Sequence, residues 1–122
     1  MEYFQGEELF SVVKAHKRLP EKDACHYFFA VIKTMQTLAQ NRIAHRDIKA
    51  ENILVNVERD DLKLIDFGFS VIFEEHRLIN IHSGTPIYSA PEVLAKDKFD
   101  PLKADLWSSG ILLFFMLCGR DF

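Results

Sequence analysis

The clearest hydrophobic pattern in the chain predicts a long amphipathic helix that stops at Asn41-Arg42. Its apolar residues recur at steps of three and four positions, which places them on one helical face. Pro20 suits the first position of this helix, because the N–H that proline lacks would be unpaired there anyway. The face consists of Ala24, Tyr27, Phe28, Val31, Ile32, Met35, Leu38 and Ala39. A shorter helix is predicted over residues 7–16.

After Arg42 the period changes, and two short apolar runs predict a β ribbon. The runs are Ile53–Val55 and Leu62–Ile65, and the polar residues 58–61 between them suit a turn. Residues 67–87 show no sustained period. A loop of this length inside a compact chain is usually functional, so we expect these residues to carry part of the chemistry.

The last pattern is a helix over residues 102–117, nearly all apolar after Trp107. We expect this helix to be buried on most sides and to end at Gly119, because glycine readily adopts the left-handed conformation that follows a helix. The chain as a whole is therefore predicted to be mainly α, with a short two-stranded β ribbon and a long ordered loop.

Composition narrows the class of protein. The 122 residues suit one domain, and 48% apolar with 27% charged residues is ordinary globular usage. A net charge of −3 gives no reason to expect a nucleic-acid or membrane partner. The longest apolar run, Ile111 to Cys118, is far below the length of about 18–20 residues that spans a bilayer. With only two cysteines and no signal peptide, we expect an intracellular protein, in the cytoplasm or alternatively the nucleus.

The residues best suited to chemistry lie between His45 and Asp66. Phosphoryl transfer needs a carboxylate to orient the attacking hydroxyl, a cation beside the transferred phosphate, and oxygen ligands for Mg²⁺. Asp47, Lys49, Asn52 and Asp66 supply those types, and the ribbon would fold Asp66 back beside the other three. A metal-dependent hydrolase is disfavoured, because the chain has no His-Glu-x-x-His pairing.

The order of four motifs resembles the eukaryotic protein kinase family, of the serine/threonine type. Residues 45–52, HRDIKAEN, are similar to its catalytic loop, and residues 66–68, DFG, to its metal-binding motif. Residues 90–92, APE, are similar to the end of its activation segment, and residues 105–110 to the start of its central buried helix. Residues 1–10 resemble its hinge and following helix. Residues 64–68, LIDFG, and residues 90–94, APEVL, are most similar to the calmodulin-dependent and AMP-activated kinase group.

The resemblance implies a catalytic role for three residues and a metal-binding role for two. Asp47 would be the catalytic base, and Lys49 would neutralise the γ-phosphate of ATP. Thr85, together with Lys49, fits the serine/threonine-specific pattern. Asn52 and Asp66 would bind Mg²⁺.

The resemblance also implies a binding site for ATP. Met1 would be the gatekeeper, the main chain of Glu2 and Phe4 would bind adenine, Leu54 would lie beneath the ring, and Glu8 would reach the ribose. Glu51 would also belong to this binding site. Glu8 and Glu51 could instead form an acidic pocket that selects basic residues near the Ser or Thr of a protein substrate, or could simply be solvated.

Three further residues have implied structural or regulatory roles. His45 would be packed or hydrogen-bonded beneath the loop, and Asp105 would be buried and hold the main chain of the loop. In many related kinases the arginine that corresponds to Arg46 pairs with a phosphorylated threonine, three positions before the glycine that corresponds to Gly84. That position is Ile81 here, so we expect activation to be independent of phosphate at that site.

The chain also departs from the family pattern. No Gly-x-Gly-x-x-Gly loop occurs, and the phosphate-gripping strand lysine of the small lobe is absent. Residues 1–122 are therefore expected to be part of a kinase domain, the large (C-terminal) lobe from the hinge to the central helix, without the small lobe and final helices. We expect the isolated chain to be weakly active or inactive unless a small lobe or partner chain completes it. The alternative is a non-catalytic lobe that acts as a docking module.

Overall fold

Three α-helices of two or more turns and two small antiparallel sheets make up most of the part of the chain that the structure describes. The computed structural model describes residues 4–120, so the contacts predicted for Met1 and Glu2 lie outside the described residues. The helices are α1 (Leu9–Ala15), α2 (Glu21–Gln40), the single turn α3 (Pro91–Leu94) and α4 (Pro101–Cys118). The strands are β1 (Glu7–Glu8), β2 (Ile43–Ala44), β3 (Ile53–Asn56), β4 (Asp61–Leu64) and β5 (Val71–Ile72), with 3-10 turns at Ala50–Asn52 and Pro86–Tyr88.

The predicted helices form, with differences at their N-termini. Helix α2 follows Pro20, which caps the helix from an extended conformation instead of occupying its first turn, and it is followed by Asn41 as predicted. Helix α1 begins at Leu9 and not at Glu7, because Glu7 and Glu8 pair with Val55 and Leu54 as strand β1. The main chain of those two glutamates satisfies its hydrogen bonds in a sheet before the helix can start.

The predicted ribbon is confirmed as β3 and β4, in a register that pairs Ile53 with Leu64. Strand β1 adds to its free side, so the sheet has the order β1–β3–β4. The second sheet joins β2 to β5, with Ile43 opposite Ile72, and it lies partly in the region predicted as a loop. Strands of two residues are too short to show an alternating pattern, which is why the sequence did not reveal them.

The core lies where α1, α2 and the ribbon pack against the second half of α4. The Phe10 ring of α1 stacks on the Phe115 ring of α4 with 5.5 Å between centroids. The segment between α1 and α2 is also joined to α4, because the Leu19 N–H donates to the Met116 carbonyl at 2.8 Å. The largest side chains with essentially no solvent exposure include Leu9, Val13, Val31, Ile48, Ile53, Leu112, Phe115 and Met116. Ile48 belongs to the same core, so the loop at residues 45–52 packs against these helices.

The expectation that α4 is buried on most sides is wrong for its first half. Leu106 and Trp107 are 58% and 45% exposed, because no element within residues 4–120 covers that side of the helix. By length and composition alone, α4 is also apolar enough to cross a membrane, a criterion that the core helix of a soluble protein meets equally well. The whole helix of 18 residues meets this criterion, although its uninterrupted apolar run begins only at Ile111.

Helix α4 ends at Gly119 in a very close contact with the segment after α1. Gly119 has φ +70° in the left-handed region, and a Cβ on it would lie 1.6 Å from the Lys17 carbonyl oxygen. Lys14 donates from Nζ to the Gly119 carbonyl at 3.0 Å. Glycine is therefore required at this helix end by both its backbone conformation and the space available.

We predict that Gly119→Ala destabilises the chain by at least about 1–3 kcal/mol, the usual cost of a left-handed non-glycine residue, with the steric conflict added. The matched control is Gly110→Ala within the same helix, where a Cβ meets nothing within 4 Å. That change should leave the chain unaltered or stabilise it by up to about 1 kcal/mol. Urea unfolding of the three proteins measures both effects. Equal stability of the two variants would contradict the close contact at Gly119.

Candidate active site

A buried carboxylate on α4 holds the main chain of the loop that follows β2. Asp105 is 4% exposed, and its Oδ2 and Oδ1 accept the N–H groups of His45 and Arg46, each at 2.8 Å. Arg46 has φ +71°, a conformation that costs a non-glycine residue free energy unless its surroundings enforce it. The prediction that Asp105 is buried and holds this loop is confirmed.

His45 is the second support beneath the loop. Its side chain has no solvent exposure, Nε2 lies 2.8 Å from the Ile65 carbonyl oxygen, and Nδ1 accepts the Asp47 N–H at 3.1 Å. A carbonyl can only accept and an N–H can only donate, so these partners select the neutral tautomer with its proton on Nε2. The ring also contacts the Phe67 ring edge-on at 4.8 Å. His45 thus links the loop to the segment around Asp66, which confirms its predicted structural role.

The candidate catalytic residues form one hydrogen-bonded network around Asp47, which is 6% exposed. Asp47 Oδ1 accepts the Thr85 hydroxyl at 3.0 Å, and Oδ2 accepts Nδ2 of Asn52 at 3.1 Å. Asn52 also donates to the Asp47 carbonyl at 2.9 Å. Lys49 Nζ donates to Thr85 Oγ1 at 2.8 Å and lies 3.6 Å from Asp47 Oδ2. Asp47, Lys49, Asn52 and Thr85, singled out in the sequence, therefore meet at one place.

Gly84 allows Thr85 to reach this network. Gly84 has φ +105°, and a Cβ on it would lie 2.8 Å from the Arg46 carbonyl oxygen. Any side chain would push the segment away from the loop, and Thr85, the next residue, would move with it. The sequence signalled this position only through the Gly-Thr-Pro run, and the close approach to Arg46 was not predicted.

Ser108 is a positioning residue that the sequence analysis missed. Its hydroxyl donates to the Tyr88 carbonyl at 2.7 Å, which ties the turn after Thr85 to helix α4. The available signal was a pair of serines, Ser108 and Ser109, directly before the long apolar run of the helix. Small polar residues facing apolar surroundings usually have a specific hydrogen-bond partner.

Asp66 lies at the open end of the ribbon, near Asn52. The Ile65 N–H donates to the Asn52 carbonyl at 2.8 Å, so the residue before Asp66 is hydrogen-bonded to Asn52. Asp66 is exposed, has φ +59°, and accepts the Gly68 N–H on Oδ1 at 3.2 Å. Because both donors on Asn52 Nδ2 bind Asp47, its Oδ1 is the side-chain atom left for a cation.

These two oxygen donors suit Mg²⁺, which usually takes one or two protein ligands and completes its shell with water and phosphate oxygens. Across residues 4–120, no group of three or more His, Cys, Asp and Glu side chains could hold a metal ion. The donor set therefore fits a metal ion that is shared with a phosphorylated ligand, and does not fit one held by the protein alone.

The predicted ATP-binding residues that are described lie on or near the three-stranded sheet. Glu8 is exposed on β1 and pairs directly with the half-buried Leu54 of β3. Phe4 is half-buried with its ring over Gly6, and Glu51 is half-buried in the 3-10 turn before β3. The structure thus brings Glu8 and Leu54 together, while within the described residues no hydrogen bond or ion pair connects Glu8 with Glu51.

Burial raises the pKa of the Asp105 carboxyl above its ordinary value of 3.8, and the hydrogen bonds from the N–H groups of Arg46 and His45 oppose this shift. A raised pKa means that the folded state binds this proton more tightly than the unfolded chain does. We therefore predict that the stability contributed by Asp105 falls as the pH rises from about 4 through the raised pKa.

The measurement is the difference in free energy of unfolding between the unaltered chain and Asp105→Asn, followed from pH 4 to pH 7. Because asparagine has the same shape but does not titrate, the difference between the two proteins removes the contribution of all other titrating groups. A difference that grows in favour of the unaltered chain as the pH rises would show that the two N–H donors outweigh burial.

Comparison with known proteins agrees with this geometry. The sequence matches the family described as protein kinase domain over residues 1–122. It is 42% identical over 121 residues to CBL-interacting serine/threonine-protein kinase 7 of Arabidopsis thaliana, covering 98% of this chain and 28% of that protein. It is 44% identical to putative CBL-interacting protein kinase 13 of Oryza sativa subsp. japonica, with 98% and 24% covered.

A more distant match is the serine/threonine-protein kinase SIK3 homolog of Danio rerio, which is 38% identical over 97% of this chain and 10% of that protein. The chain thus spans between 10% and 28% of the length of these three curated relatives. Two of them are named serine/threonine-protein kinases, in agreement with the group that the motifs favoured. The chain belongs to the protein kinase family.

Proposed function

We propose that the chain is the large-lobe part of a serine/threonine protein kinase and carries the residues that transfer the γ-phosphoryl group of Mg²⁺-ATP to a protein hydroxyl. The observation that carries this proposal is the network of Asp47, Lys49, Asn52 and Thr85. The Thr85 hydroxyl donates to the buried Asp47 carboxylate and accepts from the Lys49 ammonium group, which itself lies 3.6 Å from Asp47 Oδ2. Asp47 is on a loop that Asp105 and His45 hold from below.

Asp47 is suited to orient an attacking hydroxyl and to accept its proton. Its Oδ1 already accepts a hydroxyl hydrogen bond, from Thr85 at 3.0 Å, which is within the range a general base requires. Asn52 holds the other oxygen, so the carboxylate cannot rotate freely. Restricting the base in this way removes part of the entropy cost of reaching the reactive geometry.

Lys49 supplies positive charge at the same place. Its ammonium group lies 3.6 Å from Asp47 Oδ2 and is only partly exposed, so its field is less screened than that of a surface lysine. We assign to it the stabilisation of negative charge on the transferred phosphoryl group. Thr85 bridges Lys49 and Asp47, and this arrangement supports serine and threonine as the substrates.

Bound Mg²⁺-ATP supplies the activated phosphoryl group, and Asn52 and Asp66 are the residues that would hold the metal ion. Glu8, Leu54, Phe4 and Glu51 would contact the nucleotide, as would Met1 and Glu2. The acidic Glu8 and Glu51 also support protein substrates with basic residues near the phosphorylated position. The mild net charge and the scarcity of cysteine support an intracellular, cytoplasmic location without a nucleic-acid or membrane partner.

The longer relatives support the view that a further part of the protein completes the nucleotide site. The chain spans no more than 28% of any of the three relatives compared, so we propose that the small lobe, or a partner chain that replaces it, covers the nucleotide. Water that enters an open cleft weakens the electrostatic stabilisation of the transition state. Activity of residues 1–122 alone should consequently be low.

We predict that Asp47→Asn lowers phosphate transfer to a basic Ser/Thr peptide library by about 10²–10⁴-fold, because the hydroxyl then loses its base. Transfer from labelled Mg²⁺-ATP is measured for residues 1–122 and for a longer protein that contains them. Asp66→Asn is the second inactive variant, because it removes the negative charge of a metal ligand and leaves the Asp47 network in place. Ser11→Ala, an exposed change on α1, is the matched control and should retain full activity.

The outcomes separate the two functions that the sequence left open. Transfer that disappears in both variants supports the kinase. No transfer by the longer folded protein, combined with unchanged binding of the peptides by Asp47→Asn, would support a docking module and would overturn the proposal.

A further inference from the structure

The side chain of Arg46 joins two points of the chain that are far apart in sequence. Nη1 donates to the Phe69 carbonyl at 3.3 Å, and Nη2 donates to the Ile81 carbonyl. The guanidinium also lies 5.9 Å from the centre of the Phe99 ring. One side chain therefore closes residues 69–81 into a loop with both ends on the same cation.

These contacts fix the segment that carries Thr85 to Asp47. Phe69 directly follows the Asp66-Phe67-Gly68 run, and Ile81 lies three residues before Gly84. Ile79 and Phe99 exchange two main-chain hydrogen bonds, each 2.9 Å long, so the ring beside Arg46 is itself attached to the segment. The Arg46 main chain participates too, because Asp105 binds its N–H and Gly84 packs on its carbonyl.

Guanidinium chemistry suits this position. A planar group with five donors can bind two carbonyls at once and pack on an aromatic face, which a compact ammonium does less well. Burial lowers the pKa of Arg46, and the charge of Asp105 raises it, but arginine remains protonated at physiological pH. Both oxygens of Asp105 accept main-chain N–H groups. The hydrogen bonds that the Arg46 side chain makes go to the carbonyls of Phe69 and Ile81.

We propose that Arg46 is a positioning residue that orders residues 67–84 by binding the main-chain carbonyls of Phe69 and Ile81, so that this order requires no phosphorylated side chain. The consequence for reaction rate rests on the proposed kinase function, whereas the ordering itself can be measured without any activity. Side-chain identity at position 81 then matters little, since its carbonyl makes the contact and its side chain is 59% exposed.

The first experiment compares Arg46→Met and Arg46→Lys by hydrogen exchange and mass spectrometry on the unphosphorylated chain. Arg46→Met should speed exchange of the Ile79 and Phe99 amides by about tenfold or more, because a hydrogen-bonded cation is lost. Arg46→Lys should show most of the same loss, because one ammonium replaces a two-armed donor. Arg59→Met, at an exposed arginine in the turn between β3 and β4, is the control and should exchange like the unaltered chain.

Exchange of the core amides of α2 and α4 is the internal reference. It should stay unchanged if the variant opens only residues 67–84, and it should speed up if the whole chain is destabilised. Unchanged exchange in Arg46→Met would overturn the proposal. Full recovery of protection in Arg46→Lys would also overturn it, because positive charge alone, and not the two-carbonyl contact, would then order the segment.

The second experiment tests the anion directly with Ile81→Glu, a change at an exposed side chain that leaves the main-chain carbonyl in place. If the segment is already ordered by carbonyls, exchange over residues 67–84 should change by less than about twofold. The matched control is Leu78→Glu, which adds the same charge at another exposed apolar position of the segment. Protection that rises about tenfold in Ile81→Glu alone would show that Arg46 needs an anion.

A kinetic comparison separates this proposal from the proposed kinase function. In the longer active protein, Arg46→Met should lower kcat while the KM for ATP stays unchanged, because Thr85 and Asp47 lose their alignment and the nucleotide contacts do not. Faster exchange with unaltered kcat would contradict the role in catalysis and leave the ordering intact. A longer folded protein that shows the predicted exchange but transfers no phosphate would confirm the Arg46 contacts and reject the kinase function.

Discussion

The two hydrogen bonds from main-chain N–H groups to the buried Asp105 carboxylate are the interaction on which the rest of the site depends. A carboxylate removed from water is costly unless its oxygens are satisfied, and here both are satisfied by the loop that it supports. The arrangement is reciprocal, because the loop can keep Arg46 in a left-handed conformation only while Asp105 holds its N–H. His45 then sets the direction of Asp47 from the same loop, and Asp47 organises Asn52, Thr85 and Lys49.

Helix packing gives that interaction its rigidity. Asp105 lies on the same helix as Leu112, Phe115 and Met116, which are fully buried against α1 and α2. A carboxylate on a mobile surface helix could not define the loop to within a hydrogen-bond length. Burial of the apolar C-terminal half of α4 therefore fixes the position of Asp105 in its N-terminal half. A substitution at the Gly119 end that shifts the helix should also shift Asp105.

Sequence reasoning recovered the features that carry a period or a motif. The 3.6-residue repeat of α2 identified the helix, and the two apolar runs identified β3 and β4. The motifs brought Asp47, Lys49, Asn52 and Thr85 together before their contacts were known. Apolar composition failed for the first half of α4, because a helix that is apolar on all sides does not indicate which side has a neighbour.

Contacts made by main-chain atoms could not be read in this way. The carbonyls of Phe69 and Ile81 that bind Arg46 would be offered by any residues at those positions, so they leave no compositional signal. The same holds for the close approach of Gly84 to the Arg46 carbonyl and for the bond from Ser108 to Tyr88. These contacts depend on the path of the chain, which only the folded structure supplies.

The left-handed conformations of Arg46 and Asp66 have a consequence for the order of folding. Each is strained in isolation, and Arg46 is compensated by a partner 59 residues away in sequence. Closing so large a separation is entropically slow, so the helices and the ribbon, whose contacts are local, should assemble first. The loop and its network would then form in the last steps, when α4 docks, and much of the secondary structure would be present before the Asp47 carboxylate is in position.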